Sequence, residues 1–302
     1  MYIHQKYLLS NPNDHKWKLT INSVGCQEVG PGMPYPPSDH PSRYLFSSQK
    51  GRILNEYQLL YISKGKGVLY SETLGRDNGI QIGQGYFFML FPGEWHSYYP
   101  DYKTGWEEYW IGFQGDLIEQ LESENFFSKE VPVLPVGLNE EIISLYKKAI
   151  RTAVEQKSGY QQLLYGILNH LFGAAYFYNR NYSLKSSRII DTISKARTLV
   201  NEKYAIITPT GLADSVNMGY SNFRKIFKFY TGFSPAQYIL EVKMSKAKEM
   251  LTNTSLSIKE IAGEVGFEYF EYFFTVFKNK EGRTPTEYRD MTQGINIENN
   301  NF

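Results

Sequence analysis

A pattern of small, aromatic and turn-forming residues occurs twice near the C-terminal end of this chain of 302 residues. Ala213 and Ala262 are 49 positions apart and Phe227 and Phe277 are 50 apart, so the second copy contains one inserted residue. The matched positions of the first copy are Leu212, Ala213, Val216, Met218, Phe223, Ile226, Phe227, Lys228, Gly232, Ser234, Pro235 and Tyr238. Those of the second copy are Ile261, Ala262, Val265, Phe267, Phe273, Val276, Phe277, Lys278, Gly282, Thr284, Pro285 and Tyr288. This internal repeat predicts two copies of one small structural unit.

Each copy has the pattern of a helix-turn-helix. A short helix carries a small residue, Ala213 or Ala262, at the point where a partner helix crosses closely. A tight connection follows, at 217–219 in the first copy and at Gly266 in the second, before a helix with its own apolar stripe.

Capping motifs mark where the helices begin. They pair Ser234 with Gln237, Ser257 with Glu260 and Thr284 with Glu287. The helix from Pro235 to Leu251 is uninterrupted and about 25 Å long at 1.5 Å per residue. We predict that it sets two recognition helices near the repeat of B-DNA, about 34 Å, so that both enter successive major grooves. The alternative is a helical bundle in which the similarity of the copies is a coincidence.

Two segments carry a family resemblance. Gly266–Lys278 and Gly282–Arg289 resemble the signature of the AraC/XylS family of bacterial regulators. The resemblance covers about residues 190–290 and implies a DNA-binding domain of two helix-turn-helix units joined by a long helix. It also implies a transcription regulator rather than an enzyme, with a double-stranded DNA operator and RNA polymerase as partners.

The helix faces of the first unit separate core residues from candidates for DNA contact. Phe223, Ile226 and Phe227 are predicted to face the core. The outward set is Ser221, Asn222, Arg224, Lys225 and Lys228. We predict that Arg224 and Lys225 reach base edges, because Arg and Lys pair with guanine O6 and N7. Lys228 is predicted to bind phosphate.

The second unit has a different set of outward residues. With Phe273, Val276 and Phe277 facing the core, the candidates for the groove side are Tyr269, Phe270, Glu271, Phe274, Thr275 and Lys278. Family members usually have a Ser-Arg pair where this chain has Phe274 and Thr275. The second unit is therefore predicted to contribute shape, thymine-methyl and phosphate contacts. For each lysine, the alternative is a solvated surface charge.

The N-terminal part has the composition of a β domain. Aromatic and β-branched runs such as Tyr86–Phe91 and Trp106–Phe113 are separated by Gly and Pro about every ten residues, which predicts a sandwich or barrel. Residues 1–40, with the Pro-rich segment 31–37, are interpreted as an N-terminal arm with some extended segments. Apolar residues at helical spacing predict two helices, 139–156 and 159–180.

These patterns predict an α+β multidomain chain, with an N-terminal cupin-like β-barrel plus helical pair and a C-terminal all-α double helix-turn-helix. The predicted boundaries are 1–137 for the ligand-sensing domain, 138–180 for the helical pair, 181–187 for a linker and 188–292 for the DNA-binding domain. Leu164, Ile167, Leu168 and Leu171 form a stripe that is predicted to make a homodimer, with packing onto the barrel as the alternative. The chain shows no signal peptide and no apolar run of about 20 residues, so it is expected to be cytoplasmic.

A second resemblance concerns the barrel. Gly85–His96 resembles the second motif of cupin barrels. A cupin metal site needs further ligands, such as a His-x-His pair with Glu, but no histidine lies between His40 and His96. We therefore predict a metal-free pocket without a cofactor. The alternative is a metal-dependent cupin enzyme fused to a DNA-binding domain.

Trp106, Glu108 and Trp110 alternate along one predicted strand and therefore share a face. Similarity to the arabinose-type sensor domains of the family implies that Trp110 stacks on a sugar and that Glu108 accepts its hydrogen bonds. The same similarity places Lys64 and Tyr98 in the pocket. His96 is grouped with these ligand-site residues and is expected to be a structural hydrogen-bonding residue rather than a direct ligand contact. The expected effector is a sugar whose uptake or breakdown genes are controlled. The alternatives are that both tryptophans only fill the barrel and that the regulator needs no effector.

Overall fold

The computed structural model describes residues 2–36, 50–182 and 187–294. They form two compact units, Met1–Lys185 and Ser186–Phe302, each taken separately below. Residues 183–186 of the predicted linker lie outside the described residues, and the preceding helix continues to Tyr182.

The N-terminal unit contains nine described strands and four described helices. The strands are β1 (Tyr2–Tyr7), β2 (Thr20–Val29), β3 (Arg52–Ile53), β4 (Tyr57–Ser71), β5 (Ile80–Gly83), β6 (Tyr86–Leu90), β7 (Trp95–Pro100), β8 (Trp106–Gln114) and β9 (Val133–Pro135). The helices are α1 (Pro12–His15), α2 (Asp116–Ser123), α3 (Glu140–Glu155) and α4 (Tyr160–Tyr182).

The strands pair in the order β1-β2-β8-β4-β6-β9, and every pair is antiparallel. The long strand β4 also pairs with β5 and β7 through its second half, which turns the sheet back on itself. The bend lies at Gly65, whose φ is +81° and whose added Cβ would lie 2.1 Å from the Gly105 carbonyl oxygen. Only glycine tolerates both the left-handed backbone and this close approach.

The extended segments expected within residues 1–40 are the strands β1 and β2, and they belong to the sheet instead of a separate arm. Strand β2 pairs with β8 over most of its length, and β1 pairs with β2. The sequence of β2 does not show a simple alternation because almost all of it is buried, on both faces of the sheet.

Strand β8 separates two cores. Tyr109, Ile111 and Phe113 face a core shared with α3 and α4. Trp106 and Trp110 face the opposite way, into a second core inside the folded sheet. The prediction that alternate residues of this strand share a face is confirmed, and the inward face is the one that borders the cavity described below.

Helix α4 lies against the outer face of the sheet. Its stripe of Leu164, Ile167, Leu168 and Leu171 is buried in the core that contains Ile111 and Phe113. The expectation that this stripe mediates a dimer is wrong, because the protein's own sheet covers it. A homodimer through another surface stays a prediction.

The C-terminal unit is helical throughout its described residues. Its helices are α5 (Ser187–Lys203), α6 (Pro209–Ser215), α7 (Tyr220–Thr231), α8 (Pro235–Asn253), α9 (Ile258–Glu264), α10 (Phe270–Glu281) and α11 (Pro285–Thr292). The repeat corresponds to two helix-turn-helix units, α6–α7 and α9–α10. The capping boxes at Ser234, Ser257 and Thr284 are all formed.

Each unit has its own core, and α8 contributes to both. Phe223 and Phe227 pack with Ile239 of α8 in the first core. Phe273 and Phe277 pack with Met244, Ala247 and Leu251 of α8 in the second. The connecting helix is therefore part of two cores, and not a free spacer.

Candidate functional site

A cavity lies inside the folded sheet of the N-terminal unit, where β2 and β8 meet β3 and the segment before residue 37. Its lining is mostly polar and consists of Gln5, Tyr7, Gln27, Tyr35, Pro36, Arg52, Gln58, Tyr98, Glu108 and Trp110. The space left free is about 40 Å³, which holds a few water molecules. A ligand of monosaccharide size therefore requires part of the lining to move.

Glu108 is the most unusual group of this cavity. Its side chain is 2% exposed, and burial raises the pKa of its carboxyl to about 8, against the lowering effects of the Tyr35 hydrogen bond and the Arg52 charge. The Tyr35 hydroxyl donates to Glu108 Oε1 at 3.1 Å. Among the described residues, no group hydrogen-bonds to the buried Oε2 atom.

Gln27 lies directly across from Glu108, as its partner in the β2–β8 register. Its Nε2 atom is buried and also lacks a hydrogen-bond partner within the described part of the chain. Buried polar atoms without partners are rare, and each requires an explanation. A donor and an acceptor that are both unsatisfied at one cavity wall match a ligand hydroxyl, which can accept from one and donate to the other.

Arg52 brings a positive charge to the lining of the cavity. Its Nη2 atom donates to the Tyr98 hydroxyl at 3.1 Å, and its Nε atom donates to His96 Nε2 at 3.4 Å. Burial and the Arg52 charge lower the pKa of His96 to about 4, so its ring is neutral at neutral pH. Because Nε2 then accepts, Nδ1 carries the proton and donates to the Glu94 carbonyl oxygen at 3.1 Å. His96 therefore orients Arg52.

The two tryptophans of β8 differ in their surroundings. Trp106 is 1% exposed and packs against Phe88, Tyr98 and, at nearly a right angle, Tyr35, so it fills the core. Trp110 is 7% exposed and lines the cavity. Of these two tryptophans, Trp110 is the one that offers its ring to the cavity.

The recognition helix of the first unit, α7, presents a cationic surface. Ser221, Asn222, Arg224, Lys225 and Lys228 are all exposed, while Phe223 and Phe227 are fully buried. The ion pairs found among the described residues 187–294 are Lys246–Glu249, Lys248–Glu281 and Lys280–Glu241. The three cations of α7 take part in none of these pairs and are open to an anionic partner.

Helix α10 of the second unit presents a different surface. Tyr269, Glu271, Thr275 and Lys278 are exposed, and Phe270 and Phe274 are half-buried. The Thr275 hydroxyl donates to the Glu271 carbonyl oxygen at 2.9 Å, within the helix itself. The N-terminal part of α10 is therefore aromatic and acidic, and its threonine hydroxyl already has a partner.

Both units match known protein families. Residues 38–172 match the AraC-like ligand binding domain, and residues 212–291 match a helix-turn-helix domain. The Msm operon regulatory protein of Streptococcus mutans serotype c is 27% identical over 289 residues, which are 92% of this chain and 95% of that protein. The chain belongs to the AraC/XylS family.

Two further relatives are named after sugar operons. The lactose operon transcription activator of Staphylococcus xylosus is 26% identical over 237 residues, 74% of this chain and 84% of that protein. The raffinose operon transcriptional regulatory protein of Pediococcus pentosaceus is 23% identical over 254 residues, 81% of this chain and 88% of that protein. The chain thus combines the ligand-binding and DNA-binding domains of AraC-family transcription regulators. No helix in the described part of the chain is long and apolar enough to cross a membrane.

The structure brings together some of the pocket residues that the AraC-family resemblance implies, but not all of them. Tyr98, Glu108 and Trp110 line the cavity, and His96 lies behind Arg52. Lys64 lies elsewhere, because its side chain is 72% exposed and pairs with Glu28 at 3.5 Å on the outer surface. Its inferred place in the pocket is not supported by this geometry.

Sequence reasoning missed seven of the ten lining residues, among them Gln27, Tyr35 and Arg52. Gln27 could have been found, because it alternates with Gly25 and Val29 on the strand that pairs with β8. Arg52 lies on a strand of two residues and Tyr35 in an irregular segment, so neither has a local pattern that marks it as inward-facing.

Proposed function

We propose that this protein is a sugar-responsive transcription regulator of the AraC/XylS family that binds a neutral sugar in the cavity beside Glu108. The observation that carries the proposal is the pair of buried atoms without partners, Glu108 Oε2 and Gln27 Nε2, next to Trp110. A sugar offers hydroxyls to such groups and an apolar C–H face to an indole. The names of the lactose and raffinose relatives support the same substrate class.

In this proposal, Tyr35 holds the place of a sugar hydroxyl. Its hydroxyl already donates to Glu108, and the cavity has no room for a sugar while Tyr35 stays there. A sugar that replaces Tyr35 gains the two unsatisfied partners in addition to this hydrogen bond. The effector then shifts the protein between two arrangements, which requires a difference in its affinity for them.

The alternative of a metal-dependent cupin enzyme fits this site less well. Both ring nitrogens of His96 are engaged, and one of them faces the Arg52 guanidinium. The permanent positive charge of Arg52, 3.4 Å from His96 Nε2, opposes the binding of a divalent cation there.

On the DNA side, we propose that Arg224 and Lys225 read base edges and that Lys228 binds phosphate, supported by their exposure and lack of ion pairs. Ser221 and Asn222 lie at the start of the same surface. Tyr269, Glu271, Thr275 and Lys278 are proposed to face the second major groove. A homodimer and contact with RNA polymerase are further partner predictions, to be tested by light scattering and by transcription in vitro.

The test is calorimetry of the full chain with lactose, raffinose, xylose and a panel of other pentoses and hexoses. We expect one sugar to bind, and Trp110→Ala to weaken it at least tenfold, or about 1.4 kcal/mol. Arg52→Met and Lys64→Met form a matched pair, because both remove a cation but only Arg52 lines the cavity. We expect loss of binding for Arg52→Met alone. Binding that survives Trp110→Ala unchanged places the site elsewhere, and an absence of any sugar binding favours an effector-independent regulator.

The pH dependence of sugar binding tests the role of Glu108. Hydroxyls that donate to a carboxylate favour its ionised form, and the pKa of Glu108 in the free protein is raised to about 8. Affinity should therefore rise from pH 6 to about pH 8 and level off above it. Glu108→Gln should bind more weakly and without this rise. An affinity of the wild type that is flat between pH 6 and 9 contradicts the role of Glu108.

A further inference from the structure

Lys243, near the middle of α8, connects the turn of the second helix-turn-helix unit with the segment that leads into the first. Its ammonium donates to the Gly266 carbonyl oxygen at 2.8 Å and to the Ala205 carbonyl oxygen at 3.4 Å. Gly266 forms the turn that precedes α10, and Ala205 lies between α5 and α6. The side chain is partly buried, and desolvation lowers the pKa of Lys243. Its ammonium also lies 5.3 Å from the centre of the Phe267 ring, in a cation–π contact.

The two backbone segments that Lys243 joins are in direct contact. Gly266 has a φ of +76°, and a Cβ added there would lie 1.9 Å from the Ala205 carbonyl oxygen. The matching residue of the first unit is Asn217, which has a φ of 55° and is exposed. An asparagine tolerates this backbone conformation, but only glycine also allows the second turn to press against the segment between α5 and α6.

Two ion pairs hold the other end of α10 to the same helix. Glu241 pairs with Lys280, and Lys248 pairs with Glu281 at 3.0 Å. The recognition helix α10 is thus fixed to α8 at two points. One is the turn at Gly266, which precedes its first residue, and the other is its last turn. Lys243 alone among these groups also reaches the segment that leads into the first unit.

We infer that Lys243 is a positioning residue that sets the spacing and rotation of α10 relative to α7, and therefore the spacing of the two DNA sequences that the protein reads. The inference rests on the proposed reading of two successive grooves. Two linked binding surfaces gain affinity only when their geometry matches the separation of their sites. Without the ammonium, the turn at Gly266 loses its hydrogen bond to α8, and α10 keeps its fold but not its fixed register.

The experiment uses the full chain and a duplex that the wild type selects from a random DNA library. Two derived duplexes carry one base pair inserted between the half-sites or a scrambled second half-site. The variant is Lys243→Met, and the control is Lys246→Met on the same helix, where an exposed ammonium pairs with Glu249. Lys243→Arg tests rescue by a retained charge, and circular dichroism checks that each variant folds.

We expect the insertion to weaken the wild type and Lys246→Met at least tenfold. Lys243→Met should bind the selected duplex at least tenfold more weakly, lose less than threefold on the insertion, and bind the scrambled duplex like the wild type. Lys243→Arg should keep the sensitivity to the insertion. Gly266→Ala, which forces the same turn away from Ala205, should behave like Lys243→Met.

Three results would overturn the inference. Equal binding of Lys243→Met and the wild type to the selected and the inserted duplex removes the positioning role alone. An equal loss on all three duplexes shows general destabilisation instead of a change of register. A wild type that is indifferent to scrambling of the second half-site refutes the proposed two-groove reading, and with it the inference.

Discussion

The two helix-turn-helix units have nearly the same interior and different surfaces. Phe223 and Phe227 of the first unit and Phe273 and Phe277 of the second are all fully buried, with ring centres 5.2 and 5.7 Å apart. On the exposed faces, the matching positions are Ser221 and Glu271, Arg224 and Phe274, Lys225 and Thr275, and Lys228 and Lys278. Of these pairs, only Lys228 and Lys278 carry the same charge in both units.

The two copies of the repeat share their core residues but differ in their exposed residues. Core positions are constrained by packing in both copies, because a change of volume there is destabilising. Groove-facing positions are constrained only by the DNA sequence that each helix contacts. The duplicated fold is consistent with the proposal that both helices contact DNA, and the diverged faces support the proposal that the first supplies most of the base-specific polar contacts.

The largest expected effects concern the shared interior. Phe223→Ala and Phe273→Ala should each destabilise the C-terminal unit by about 3–5 kcal/mol, because each removes a fully buried ring. Urea denaturation followed by circular dichroism measures the helical signal. All 4 tryptophans of the chain lie at or before position 110, so their fluorescence reports the N-terminal unit and serves as the control. If one substitution cost less than half as much as the other, the two cores would not be equivalent.

The next effect separates the two recognition helices. Arg224→Ala should weaken specific binding by about 1–3 kcal/mol and relax the preference at one base position. Thr275→Ala should change affinity by less than about 0.5 kcal/mol, because the Thr275 hydroxyl is already bonded within its helix. Fluorescence anisotropy with the selected duplex and single-base variants measures both. An Arg224→Ala protein with unchanged affinity and preference would mean that another face of α7 meets the groove.

The sequence predicts the C-terminal unit better than the pocket because its signals are local. The capping boxes, the proline positions and the apolar stripes all lie within a few residues of the helix that they define, and the structure has each of them. The repeat adds a second, independent copy of the same signals. The inward-facing residues of β8 were predicted for the same reason, from the alternation of Trp106, Glu108 and Trp110.

The pocket depends instead on contacts between distant segments. Tyr35 and Glu108 are 73 positions apart and Arg52 and Tyr98 are 46 apart, so no local pattern relates them. Lys64 shows a second limit. The β4–β8 register shifts between Ile62 and Lys64, and such an irregularity places Lys64 outside although regular alternation would put it on the same face as Ile62.

A smaller effect is expected where the two helices are alike. Lys228→Ala and Lys278→Ala should each weaken binding to all DNA sequences equally, and each should reduce the slope of log affinity against log salt by about 1. Titrations at four salt concentrations, with specific and unrelated duplexes, measure this slope. A salt slope that changes for Lys228→Ala alone would show that α10 does not approach the phosphates at all.

The smallest effect concerns the pair Ser221 and Glu271, which lie at matching positions near the start of the two recognition helices. Glu271 is exposed, and a carboxylate near the phosphate backbone opposes binding. Glu271→Gln should therefore raise the affinity for all sequences about twofold to fivefold at low salt, with a smaller gain at high salt because the charge is screened. The reciprocal change, Ser221→Glu, should lower affinity by at least as much, because α7 is the helix proposed to contact more bases.

The control is Glu130→Gln, at an exposed residue of the N-terminal unit. It makes the same change in total charge as Glu271→Gln and should have no effect on DNA affinity. If Ser221→Glu lowers affinity while Glu271→Gln leaves it unchanged at every salt concentration, the start of α10 lies away from the DNA, and the second unit contributes through Lys278 and its aromatic residues alone.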